Sequence, residues 1–171
     1  NMVTKLTIPA QGYDSAEVLV LGMQAPLLPI HKLAFLLNRE LDFTLCKKSD
    51  FTFYYDGNQQ ATFDFYTFPD LENHVSFYLL SNKSQFYLLP KFASSDFFLF
   101  AQGSIDRLDA PKIIEKIENI ESIFSVANIP LDKIKFLDLL LSDLEEHLDR
   151  IRIEETPSVD KLREGLNKIE L

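Results

Sequence analysis

Apolar positions along this chain change their period. Before Gly103 they come in strand-length stretches, interrupted by one helical segment; after Asp109 they recur every three or four residues. Val3, the Lys5 stem and Thr7 share one side of a weakly alternating segment, Val3 to Ile8, which predicts a short strand ended by Pro9. Gln11-Gly12-Tyr13-Asp14 is a turn, and Glu17 to Met23 (EVLVLGM) is an apolar run of strand length. Pro26 and Pro29 exclude regular structure until a helix begins near Pro29, since proline is tolerated in a first turn. Leu33, Phe35, Leu36, Leu37 and Leu41 suit its buried face, with Lys32, Arg39 and Glu40 outside it.

Phe51, Phe53 and Tyr55 alternate with Thr52 and Tyr54, and Phe63, Phe65 and Thr67 alternate with Thr62, Asp64 and Tyr66. Asp56-Gly57-Asn58 between them tolerates positive φ, which predicts a β-hairpin closed by Pro69-Asp70. His74 to Leu80 and Gln85 to Leu89 flank Ser81-Asn82-Lys83-Ser84 and predict a second hairpin, ended by Pro90. Asp96 to Gln102 is a further strand, stopped by Gly103.

Asp109 as N-cap and Pro111 in the first turn open a helix carrying Ile113, Ile117, Ile120, Phe124 and Ala127, stopped by Pro130. Ile134, Leu137, Leu141, Leu144, Leu148 and Ile151 continue at steps of three and four; Ser142 with Glu145 resembles a capping box and allows a break there. Thr156-Pro157 starts a last short helix with Val159, Leu162, Leu166 and Ile169 on one face. The expected fold is α+β: an antiparallel sheet of five to six strands with helices packed on one face and a C-terminal helical tail. Residues 1–130 are read as the α+β domain. Residues 131–171 are read as a C-terminal helical extension, packed on the same domain or at an interface.

Composition agrees with a folded domain. The 171 residues are 46% hydrophobic and 25% charged, enough for one core and a solvated surface. Fifteen Phe and six Tyr against no Trp favour a sheet. The net charge of -9, without a basic stripe beyond Lys47-Lys48, argues against nucleic acid and anionic membranes as partners. No stretch approaches the ~20 apolar residues that cross a bilayer. Cys46 is the sole cysteine, so no intrachain disulfide forms, and a reducing, cytoplasmic location is expected. Asn1 ahead of Met2 is expected to be a residue added for expression, and the opening segment does not resemble a secretory signal.

Leu89-Pro90-Lys91-Phe92-Ala93-Ser94-Ser95-Asp96-Phe97 resembles the motif that names the IPExxxVDY family of small bacterial proteins of the Bacteroidota. Leu89, Pro90, Asp96 and Phe97 match in identity or kind; Lys91 stands where the motif has a glutamate, and Ser95 where it has a valine. Lys5-Leu6-Thr7-Ile8, Leu36-Leu37-Asn38 and Leu79-Leu80-Ser81-Asn82-Lys83 extend the likeness over Lys5 to Ile129. The resemblance implies a bacterial cytosolic protein and carries no catalytic residues. Physically the motif reads as architecture: Pro90 ends a strand and Asp96 caps a turn.

Signatures of chemistry are sparse. His31, His74 and His147 lie far apart, and Glu145, Glu146, His147 and Asp149 read as the solvated face of a helix rather than a metal site. Cys46 with His31 or His74 would be a thiol pair, but Lys47-Lys48 after it mark no glycine turn or helix start, so Cys46 is expected to be a small buried residue. The five isolated glycines make no phosphate loop, and Asp56 with Asp64 reads as solvated. No cofactor and no metal are expected. Leu137, Leu141, Leu144, Leu148 and Ile151, spaced 4-3-4-3, either pack on the chain's own sheet or form a subunit interface. The expected function is a non-catalytic protein-interaction domain, binding a protein partner or itself as a homodimer. The alternatives are a small acidic chaperone or adaptor holding a peptide of another protein, or an enzyme built on Cys46 or the sheet carboxylates.

Overall fold

The computed structural model describes residues 4–5, 17–55, 57–156 and 162–166. The turn expected at Gln11–Asp14, most of the first strand, Asp56 and the ends of the last helix lie outside them. The strands are β1 (Thr4–Lys5), β2 (Glu17–Gln24), β3 (Cys46–Tyr54), β4 (Gln60–Asp70), β5 (Val75–Ser81), β6 (Phe97–Gly103) and β7 (Ser125–Asn128). The helices are α1 (Ile30–Leu41), α2 (Ala110–Glu118) and α3 (Leu137–Glu155), followed by a short helix at 162–166. Every strand pairing is antiparallel, in the order β1-β2-β6-β5-β4-β3, with β7 on the same edge of β2 as β1. The α+β class and the antiparallel sheet follow the sequence expectation.

Alternation sorts the strand residues onto two faces. Leu19, Leu21 and Met23 of β2, Phe77 and Leu79 of β5, and Leu99 and Ala101 of β6 meet Leu33, Leu37 and Leu41 of α1 and Ile117 of α2. Val18 and Val20, Tyr78 and Leu80, and Phe98 and Phe100 point the other way, beneath α3. Three central strands are therefore buried on both faces, which is why they read as continuous apolar runs. The C-terminal helix is the second covering layer, so the sheet lies between a core with α1 and α2 on one face and a core with α3 on the other.

The β3–β4 hairpin forms as expected. Phe51, Phe53, Phe63 and Phe65 lie inside, while Thr52 and Thr62 join hydroxyls on the outer face at 3.0 Å. The expected second hairpin does not form. Its first strand, β5, pairs with β4 and β6, and Gln85 to Leu89 is a loop with one isolated bridge, Lys83 to Tyr87. Helix α2 starts where expected, the Asp109 carboxylate accepting the Lys112 amide at 3.1 Å, but ends at Glu118 rather than near Pro130. Residues Ser125–Asn128 instead pair with Leu21–Gln24 as β7, and Phe124 is 60% exposed. The amide of Phe124 donates to the Gln24 carbonyl at 2.7 Å, so sheet pairing has overridden the helical spacing. Phe35, placed on the buried face of α1 by spacing, is exposed. Helix α3 runs unbroken through Ser142.

Candidate binding pocket beside the start of α3

The leucine stripe is used inside the chain. Leu137, Leu141, Leu144 and Ile151 are buried, Leu148 is half-buried against them, and all pack on β3–β6 together with Leu140. Packing on the chain's own sheet, one of its two readings, is thus present. A helix laid on a sheet and a coiled-coil seam demand the same spacing. His147, read from sequence as solvated, is 7% exposed. It lies on the same helical row as Leu144 and Ile151, donates from Nε2 to the Ser49 carbonyl at 2.8 Å, and stands edge-on to Phe65 and Phe51. His31 and His74 are exposed, and no group of metal-ligating side chains gathers among the described residues.

Cys46 is exposed, not buried: it opens the edge strand β3, and its thiol donates to the Thr44 carbonyl at 3.3 Å. It lines a cavity of about 260 Å³ with Lys48, Ser76, Ile151, Arg152 and Glu155, and no histidine is in that lining. Lys48 and Glu155 close on each other at 2.8 Å across it. Asp64 is half-buried on the outer side of β4.

The motif residues build a loop. Asn82, 0% exposed, is its hub. Its Oδ1 accepts the Leu89 amide at 2.9 Å, and its Nδ2 donates to the carbonyls of Phe92 at 2.9 Å and Ser95 at 2.8 Å. Its backbone amide donates to the Asp96 carbonyl at 2.8 Å. Asp96 does not cap its own turn: its Oδ2 accepts the Ala25 amide at 2.8 Å, tying the loop to the end of β2. Pro90 opens a 3-10 turn, Pro90–Phe92, rather than ending a strand. Leu89 and Phe97 are core residues.

This loop forms one wall of a cavity of about 240 Å³. The floor is Phe53 of β3 with Leu88, Leu89, Ile134 and Leu140; Tyr55, Phe92 and Phe136 stand around it. Tyr55 donates its hydroxyl to the Tyr87 carbonyl at 2.8 Å, and burial pushes its pKa up to about 12, so it serves as a fixed wall and not as an acid near neutrality. The charged residues of the lining are Lys91, Lys133 and Lys135, all exposed. No carboxylate, imidazole or thiol takes part. Phe136 is 61% exposed at the mouth and holds φ 60°, a conformation costly for a bulky side chain, as it caps α3. Phe86, 42% exposed, stacks edge-on against Tyr55 outside the cavity.

Of these residues the sequence marked Leu89, Pro90, Lys91 and Phe92 as motif positions, Phe53 and Tyr55 as strand positions and Ile134 as a helix position, all as architecture. The lining comes from three segments, at 53–55, 88–92 and 133–140, which no local pattern joins. No family model matches the chain, and no curated protein matches it.

Proposed function

We propose that the chain is a non-catalytic protein-interaction domain that seats one apolar side chain of a partner segment in the cavity between β3, the Pro90–Phe92 turn and the start of α3. The observation that carries this reading is the lining: an apolar floor, the exposed Phe136 at its mouth, and no acid–base or nucleophilic pair within it. Such a cavity suits a buried anchor surrounded by adaptable contacts. Its volume is that of a large side chain rather than of an extended ligand. A peptide-holding adaptor is the form of the proposal that this shape favours; a homodimer is the case in which the anchor comes from a second copy. The likeness to the IPExxxVDY motif belongs to the same proposal, with Leu89 and Pro90 lining the cavity, Asp96 tying their loop to the end of β2, and Phe97 packed in the core of the other sheet face.

The test is selection of random displayed peptides on the full chain, with Phe136→Asp as counter-target. Asp accepts positive φ and helix capping, so this variant keeps its fold. Enriched peptides sharing a large apolar residue, and lost on Phe136→Asp, support the reading. Absence of enrichment, or peptides indifferent to the variant, overturns it.

A further inference from the structure

The chain carries 26 acidic and 17 basic side chains, yet the charged residues lining this cavity are all lysines. Lys91 comes from the 3-10 turn on one wall; Lys133 and Lys135 flank Ile134 on the other. All three are exposed, and none forms an ion pair with a carboxylate among the described residues. Asp132 and Asp138 lie close in sequence, but neither lines the cavity. A local positive rim on a negative molecule is an electrostatic feature in need of a counterpart.

Resting on the interaction reading, we infer that the partner is an acidic segment: one large apolar anchor for the cavity, flanked by Asp or Glu side chains that meet Lys91 on one side and Lys133 and Lys135 on the other. Two observations favour a protein segment. Phe86 and Phe136 present aromatic surface beyond the cavity, which a ligand confined to the cavity would leave wet. Three lysines can offset a few carboxylates, whereas the denser charge of a polyphosphate chain exceeds what they offset and leaves more of it to the repulsion of a net charge of -9. The acidic remainder of the domain repels acidic segments and attracts basic ones, so selectivity for acidic flanks comes from the lysine rim itself.

The experiment takes peptides selected on the full chain, synthesises each with a counterpart in which Asp and Glu become Asn and Gln, and measures affinity for wild type and for a Lys91→Gln, Lys133→Gln, Lys135→Gln variant. The expected result is enrichment of acids beside the anchor. Exposed ion pairs being individually weak, the lysine variant should lose about tenfold in affinity, as should the neutral peptide, and added sodium chloride should weaken only the acidic peptide on wild type. Apolar peptides that bind wild type and lysine variant alike overturn this inference while the interaction reading stands. Absence of any selected peptide overturns both. Oligothymidylate or dodecanoate binding in a lysine-dependent way, with acidic peptides failing to bind, overturns the acidic-segment assignment and gives the rim another anionic occupant.

Discussion

Asn82 shows how one side chain shapes a site it does not touch. Its amide holds three backbone groups of the loop that walls the cavity, so Asn82→Ala would strand the Leu89 amide and the Phe92 and Ser95 carbonyls. Unpaired buried groups are costly, so a loss of roughly 2–4 kcal/mol in denaturant unfolding is expected, with peptide binding impaired before the fold is lost. Tyr55 and Tyr78 give a pH signature. Burial, the main cause in each, raises both pKa values from 10.0 to about 12. The folded chain thus holds these protons more tightly than the unfolded chain, and the stability they contribute is complete below the free phenol value and lost as pH rises through about 12. Ultraviolet titration should show two tyrosines ionising only near pH 12, together with alkaline unfolding. Phe136 carries the opposite balance: at φ 60°, Phe136→Asn should stabilise by roughly 0.5–1 kcal/mol in thermal or denaturant unfolding while weakening binding.

At the scale of elements, α3 carries the clearest consequence of the packing. Leu144 is fully buried, and Leu144→Ala should cost roughly 2–5 kcal/mol. Leu141→Glu places a charge under the sheet and should unfold the domain rather than yield a folded, dissociated subunit, as circular dichroism with light scattering would report. Elements were legible wherever local pattern and tertiary contact agree. The Phe51–Phe53 and Phe63–Phe65 alternation around a glycine turn gave β3–β4, and Asp109 with Pro111 marked the start of α2. They were illegible where contact outweighs pattern. Ile120, Phe124 and Ala127 keep helical spacing, yet the open edge of β2 offers hydrogen bonds that draw Ser125–Asn128 into a strand. Gln85 to Leu89 is as apolar as a strand, yet β4 and β6 already take both edges of β5 and leave that segment to the Asn82 loop.

For the whole molecule, the sheet is a wall between two cores. The continuous apolar runs of β2, β5 and β6 announced burial on both sides, but which helix takes which face depends on chain path and not on composition. The cavity arises at one margin of the second core, where Phe53 and Tyr55 leave β3, Pro130 has ended the crossing from β7, and α3 begins at Phe136. Its lining converges from residues some 80 positions apart, as with Phe53 and Lys133, so no window of sequence displays it. Solvent charge follows the same logic: the net value of -9 is read from composition, while the lysine rim appears only on folding.

The absence of tryptophan from the chain permits a direct test of the cavity as the binding site. Phe136→Trp places a sole indole at the mouth, and its emission reports whether the occupant covers that position. Titrating it with a selected acidic peptide whose binding is verified by calorimetry should move the emission to the blue, saturating with the calorimetric isotherm, and the shift should vanish when the apolar anchor of the peptide is replaced by Ala. Calorimetric binding with unchanged emission would place the partner elsewhere on the molecule and contradict the account.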